Sequence, residues 1–193
     1  MTNSLNPRND HSVAVWLNLA GLVGISLCLC VAFYYQLVRS ELPCPLCLLQ
    51  RAGLILVGLG FLFNIRMGIR NTHYAMALVG AVTTGAIALR QVFLHIEPGN
   101  VGYGSSFLGL HFYTWALVAS VLLVLAVALM MSLGHWGPVL QPALHGLSVS
   151  RILEKFVAIV FVALIAGNLV STVVECGAGQ CADDPKVYEM LVR

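Results

Sequence analysis

The residues best placed to do chemistry are Cys44 and Cys47, two thiols separated by Pro45 and Leu46, with Arg51 four residues after the second. Apolar runs flank the stretch on both sides. A CxxC whose first Cys lies just before a helix and whose second lies in its first turn is a redox geometry. Aligned backbone N–H groups and the helix dipole favour Cys47 as a thiolate. Pro45 suits the first helical turn, where its missing N–H costs nothing. Arg51, at i+4 from Cys47, falls on the same helix face about 6 Å deeper, at roughly 1.5 Å of rise per residue. A charge that far into an apolar helix is expensive and marks a functional site. A structural disulfide or half of a zinc site would use the same thiols, but neither calls for the buried Arg.

The elements that must position these groups are membrane helices. Of 193 residues, 59% are hydrophobic and only 9% charged, where a soluble domain carries about 25% charged residues. The expected class is an all-α integral membrane protein. The net charge of +2 comes without a basic stripe, so no nucleic-acid partner is expected. Val13 to about Val38 reads as the first span; it is too long for the core of a signal peptide and lacks a small-residue cleavage site, so it is expected to be retained. Phe33, Tyr34 and Tyr35 make an interfacial belt at its end. Cys28 and Cys30 fall inside it, pointing to different sides, and are expected to be small buried hydrophobes. Pro45–Ile65, Tyr74–Leu94 and Phe112–Leu133 read as spans two to four, with Arg90 near the end of the third. The Gly-rich loop 95–111 joins the last two.

Residues 134–150 read as a cytoplasmic connecting loop, with Ser150 as the N-cap of the next helix. The region 151–174 is expected to hold a fifth span, its apolar run being Phe156–Val174. The tail 175–193 carries Cys176 and Cys181. Asp184 and Pro185 resemble the N-cap and first residue of a short helix.

Sidedness comes from the positive-inside rule. With the N-terminus inside, Arg8, Arg66, Arg70, Arg151 and Lys155 are cytoplasmic, against Arg39, Lys186 and Arg193 outside. Five spans starting inside end outside, so both cysteine pairs face one compartment, in a bacterium the oxidising periplasm. Two thiol pairs on one face suit a relay, since exchange needs a thiolate attacking a disulfide. The electrons need a sink, and there is no CxxCH, dinucleotide glycine motif or cluster-ligand set. A quinone from the bilayer can reach the top of span two, where Arg51, with Arg90 at similar depth, would stabilise developing negative charge.

With these features the chain resembles the disulfide bond formation protein B (DsbB) family, bacterial inner-membrane thiol:quinone oxidoreductases. The likeness rests on Cys44-Pro45-Leu46-Cys47 with Gln50-Arg51, on Arg90-Gln91-Val92, and on Phe107-Leu108-Gly109-Leu110 with Trp115. It covers residues 13–133, so 1–133 is expected to be a DsbB-like four-helix transmembrane bundle to which the fifth span is added.

The resemblance implies that the protein reoxidises a periplasmic thioredoxin-like protein of the DsbA type and passes electrons to quinone, ubiquinone or menaquinone. It gives Cys47 as the quinone-facing thiol, Cys44 as its exchange partner and Arg51 as the polarising cation. His95 is the nearest candidate for the His that family members often carry near the quinone. One departure is large: the family's second Cys pair lies between spans three and four, where this chain has none. Gly179-Gln180-Cys181-Ala182-Asp183 is similar to the surroundings of the family's second loop cysteine. By role, Cys176 would then meet the partner and Cys181 would exchange with Cys44. Two rival readings are a conduit carrying reducing power outward, which would need Cys28 and Cys30, and a non-enzymatic metal-binding or assembly protein using the four outer cysteines as ligands. No metal is expected for thiol exchange itself.

Overall fold

The computed structural model describes residues 12–133, 151–177 and 179–191. Its elements are α1 (Ser12–Leu37), α2 (Pro45–Met67), α3 (Asn71–Leu94), a two-stranded hairpin of β1 (Ser106–Phe107) and β2 (Leu110–His111), α4 (Phe112–Leu133) and α5 (Arg151–Cys176), followed by a single 3-10 turn at Glu189–Leu191. All five α-helices are long and apolar enough to cross a membrane. The protein is an all-α integral membrane protein. The expected connecting loop 134–150, including Ser150, lies outside the described residues.

Small residues decide which helices touch. In lipid, helices gain little from burying apolar surface, and close backbone approach through Gly and Ala takes its place. α2 and α3 make the most extensive contact. A Cβ on Gly80 would lie 2.7 Å from the Gly53 carbonyl oxygen and 2.8 Å from the Val57 nitrogen, so the two backbones meet there. α4 packs on α3, while α1 packs on α2. The Phe61 ring covers Gly21 of α1, and the fully buried Phe161 ring of α5 covers Gly58 of α2 beside Ile25 of α1. α5 therefore seats against α1 and α2. The end of the bundle away from Cys44 is tied by a polar cluster. Asn64 Nδ2 donates to Asn18 Oδ1 at 2.9 Å, and Asn18 Nδ2 donates to the Tyr74 hydroxyl at 3.0 Å.

Several boundaries differ from the sequence reading. α3 starts at Asn71, three residues before Tyr74. α5 starts at Arg151 and runs through Glu175 and Cys176, so the tail begins at Gly177 rather than at 175. Nothing before Gly177 breaks the helix; Gly177, at φ +64°, ends it in the left-handed conformation, its N–H donating to the Val173 carbonyl at 2.8 Å. The helix expected from Asp184-Pro185 is absent: that stretch is extended and bent, and only the 3-10 turn comes after it. Cys28 and Cys30 are free and exposed rather than buried, because Leu29 between them takes the buried face of α1. The 95–111 loop contains the small hairpin, whose two-residue turn places Leu108 at φ +52° and Gly109 at φ +80°.

Candidate redox site

Cys44 is the N-cap of α2 and Pro45 its first residue, with the Cys47 backbone N–H pointing at Cys44 Sγ at 3.2 Å. The two cysteines are joined in a disulfide, Cα to Cα 5.0 Å. Beside it lies Gln91 of α3, only 1% exposed, whose Nε2 is 3.3 Å from Cys44 Sγ and 3.7 Å from Cys47 Sγ. Gln91 is fixed in turn by Gln50, whose Nε2 donates to Gln91 Oε1 at 2.8 Å. In the sequence Gln91 is part of the Arg90-Gln91-Val92 motif, and no local pattern marks it as a neighbour of the sulfurs.

Arg51, one turn below Cys47, is 8% exposed. Its Nη1 donates to Gln36 Oε1 at 2.7 Å and its Nη2 to the Ala32 carbonyl at 3.3 Å, while the guanidinium sits 5.6 Å from the Phe33 ring centre. Phe33 thus serves as a cation partner rather than only as part of an interfacial belt. Gln36 continues the chain of bonds to α5 and the tail. Its Nε2 donates to Ser171 Oγ at 2.6 Å, to Glu175 Oε2 at 3.3 Å and towards the Tyr188 hydroxyl at 3.4 Å. The second disulfide, Cys176–Cys181, comes directly after Glu175, with Cα atoms 4.5 Å apart. Both cysteine pairs therefore lie at the same end of the bundle.

Cys47, Gln50 and Arg51 border a cavity of about 430 Å³ between α1, α2 and α4. Leu27, Val31 and Tyr35 wall it on α1, Phe112, Trp115 and Ala119 on α4, and Tyr103 and Phe107 on the loop. Leu27 and Val31 are also exposed on the bundle surface, so the cavity opens sideways toward lipid. Cys28 borders it as well. The loop is pinned over the site: the Tyr103 hydroxyl donates to the Leu42 carbonyl at 2.7 Å, the Ser105 N–H to Glu41 Oε2 at 3.0 Å, and Trp115 Nε1 to the Phe107 carbonyl at 2.9 Å. Partial burial, with the carboxylates Asp184, Glu175 and Glu41 nearby, pushes the Tyr103 phenol up to about 12.

His95 stands behind this wall. Its Nδ1 lies 2.9 Å from the Gln91 carbonyl, and its ring stacks on Tyr113, which borders the cavity, at 5.4 Å between centroids. Arg90 is not brought to the site: it is exposed on the outer face of α3 and is not among the cavity's walls. One residue on, Gln91 takes the inward position. Among the described residues, no three His, Cys, Asp or Glu side chains gather to hold a metal ion.

The family model for disulfide bond formation protein DsbB matches residues 14–130, more than half of the chain. The chain belongs to the DsbB family. Among relatives named disulfide bond formation protein B, that of Nitrosospira multiformis is 37% identical over 102 residues, covering 51% of this chain and 57% of the relative. That of Hahella chejuensis is 39% identical over 89 residues, covering 44% and 50%. Disulfide bond formation protein B 1 of Pseudomonas fluorescens is 30% identical over 150 residues, covering 61% of this chain and 88% of the relative. The chain thus spans about half the length of the first two. No solved structure matches it. The DsbB match covers the CxxC, Arg51 and the cavity walls, and it stops before α5.

Proposed function

We propose that the protein is a thiol:quinone oxidoreductase of the bacterial inner membrane that reoxidises a periplasmic thioredoxin-like, DsbA-type dithiol protein. The observation that carries this reading is the shared cavity: Cys47 and Arg51 both border one aromatic-walled space that opens to lipid. Its walls fit a flat, oxygen-bearing ring with an apolar tail, as in ubiquinone or menaquinone. A quinone bound there supplies a sink for two electrons and two protons.

The chain's own residues divide the remaining work. Partner dithiol exchanges with Cys176–Cys181: one thiolate attacks, a mixed disulfide forms, and the partner leaves oxidised with the tail pair reduced. Cys181 then exchanges with Cys44, and the freed Cys47 thiol faces the cavity. Gln91 offers an N–H to the sulfurs as charge develops on them. Arg51 holds positive charge at the cavity wall, in a setting where a fixed charge is worth more than in water. His95, stacked on Tyr113, braces the wall from behind.

The test is ubiquinone reduction by the purified chain, supplied with a reduced thioredoxin-like dithiol protein. Turnover by the native chain, lost in Cys47→Ser and in Cys176→Ala/Cys181→Ala, is the expected result. Equal turnover with and without the tail pair would reduce that pair to a clip. Normal quinone reduction by Cys47→Ser would overturn the whole reading.

A further inference from the structure

The carboxylate of Glu175 takes no part in the thiol relay. It is 3% exposed, in the last turn of α5, and its Oε1 has no hydrogen-bond partner among the described residues. Its Oε2 accepts from the Gln36 amide, whose oxygen accepts from the Arg51 guanidinium. A buried carboxyl group and a buried cation are thus joined through one neutral amide. The polarity matches along the line: carboxylate to N–H, then amide oxygen to guanidinium. Flipping the Gln36 amide would place donor against donor at Arg51 and acceptor against acceptor at Glu175. A buried charge is tolerated when it is paired and hydrogen-bonded. A direct Arg–carboxylate pair, however, tends to use two guanidinium N–H groups in a fork. With Gln36 between them, Arg51 is balanced while its cavity side stays open.

We propose that Glu175 is a positioning residue for Arg51, so that α5 completes the electron-acceptor site rather than standing beside it. This deepens, and rests on, the quinone reading. Glu175 is not among the cavity's walls. It acts by fixing which way Gln36 faces and, through it, where the guanidinium is held. The adjacent residue is Cys176, so the same helix end that carries the second disulfide also anchors the cation of the first.

The test uses the full chain in detergent, with Trp16→Phe and Trp136→Phe leaving Trp115 as the single tryptophan at the cavity wall. Binding of decylubiquinone is read by quenching of Trp115, and thermal stability is read in parallel. Arg51→Met is expected to weaken binding about tenfold, the scale of one hydrogen bond to a charged group. Glu175→Gln should reproduce roughly three- to tenfold of that loss, and the double variant should bind no worse than Arg51→Met alone. Exchange of Cys44–Cys47 with dithiothreitol should stay within about twofold of native in Glu175→Gln, since the sulfurs are untouched. Glu175→Asp, which keeps the charge, should recover part of the binding and carries the test if Glu175→Gln does not accumulate. Unchanged binding in Glu175→Gln, or additive losses in the double variant, overturns the proposal. So does an equal loss in Ser171→Ala, which removes a neutral acceptor of Gln36 and no charge. If the native chain does not bind decylubiquinone, the quinone reading falls. The stability cycle then decides the coupling by itself: a double variant no less stable than its weaker single supports it, and additive losses overturn it.

Discussion

A buried amide beside a disulfide is costly to disturb, because each of its hydrogen-bonding atoms has a partner that would be left alone. Gln91→Leu would strand Gln50 Nε2 inside the bundle and remove the N–H beside Cys44. The expected cost is about 1–3 kcal/mol, with the double variant Gln50→Leu/Gln91→Leu closer to native than Gln91→Leu, because both partners are then removed together. Denaturation in detergent decides it, and equal losses for the single and double variants would refute the pairing. Tyr103 gives a second residue-scale prediction. Its phenol is raised to about 12, so the folded chain binds that proton more tightly than the unfolded chain. Stability from this group is complete below the ordinary tyrosine range near pH 10 and is lost as pH rises towards 12. Melting temperature should fall over that window, and the fall should be shallower in Tyr103→Phe; identical curves would sink the assignment. The sequence made Cys44, Cys47 and Arg51 legible because a thiol pair and an intramembrane charge are rare and chemically loud. Gln36, Gln50 and Gln91 are quieter, yet an uncharged amide in a span also has to face inward. Arg90 drew attention by charge alone, but neighbouring helix residues point about 100° apart, and Gln91 holds the inward place.

At the scale of helices, lengths and most ends were readable, since the chain must provide some 20 apolar residues per crossing. Which faces meet was not, because the contacts are made by glycines with no side chain to reveal a stripe. Gly80 and Gly24 separate these cases. A Cβ at Gly80 would meet backbone atoms of α2 at under 3 Å, whereas one at Gly24 would meet nothing within 4 Å. Gly80→Val should therefore cost at least the 1–3 kcal/mol typical of overpacking and force α2 and α3 apart. Gly24→Val should leave the melting temperature within a few degrees of native. Equal behaviour of the two in detergent melts would contradict the α2–α3 contact. The link between α5 and the site was equally hidden: Gln36 and Glu175 stand 139 residues apart, and no local pattern pairs them. The signal that existed was an acidic residue at the end of an apolar run, set beside a cysteine.

For the whole molecule, everything rests on five crossings and on which side the cysteines face. Gln36 ties the end of α1, the start of α2 and the end of α5 into one cluster, so the two disulfides share a side whatever the orientation in the membrane. The direction itself comes from charge: Arg66 and Arg70 crowd the turn between α2 and α3, at the opposite end from Cys44. A basic turn resists translocation, so the proposed orientation has that end in the cytoplasm and the disulfides outside, where an oxidised pair would persist. Alkaline phosphatase fused after Arg193 should be active, since it folds only where its own disulfides form. A fluorescent protein fused at the same point should stay dark in the bacterial periplasm, and phosphatase fused within the turn at Gly68 should be inactive. A bright C-terminal fusion would put the tail pair in a reducing compartment. A disulfide relay from that tail to Cys44 would then have neither the oxidised partner nor the direction it requires.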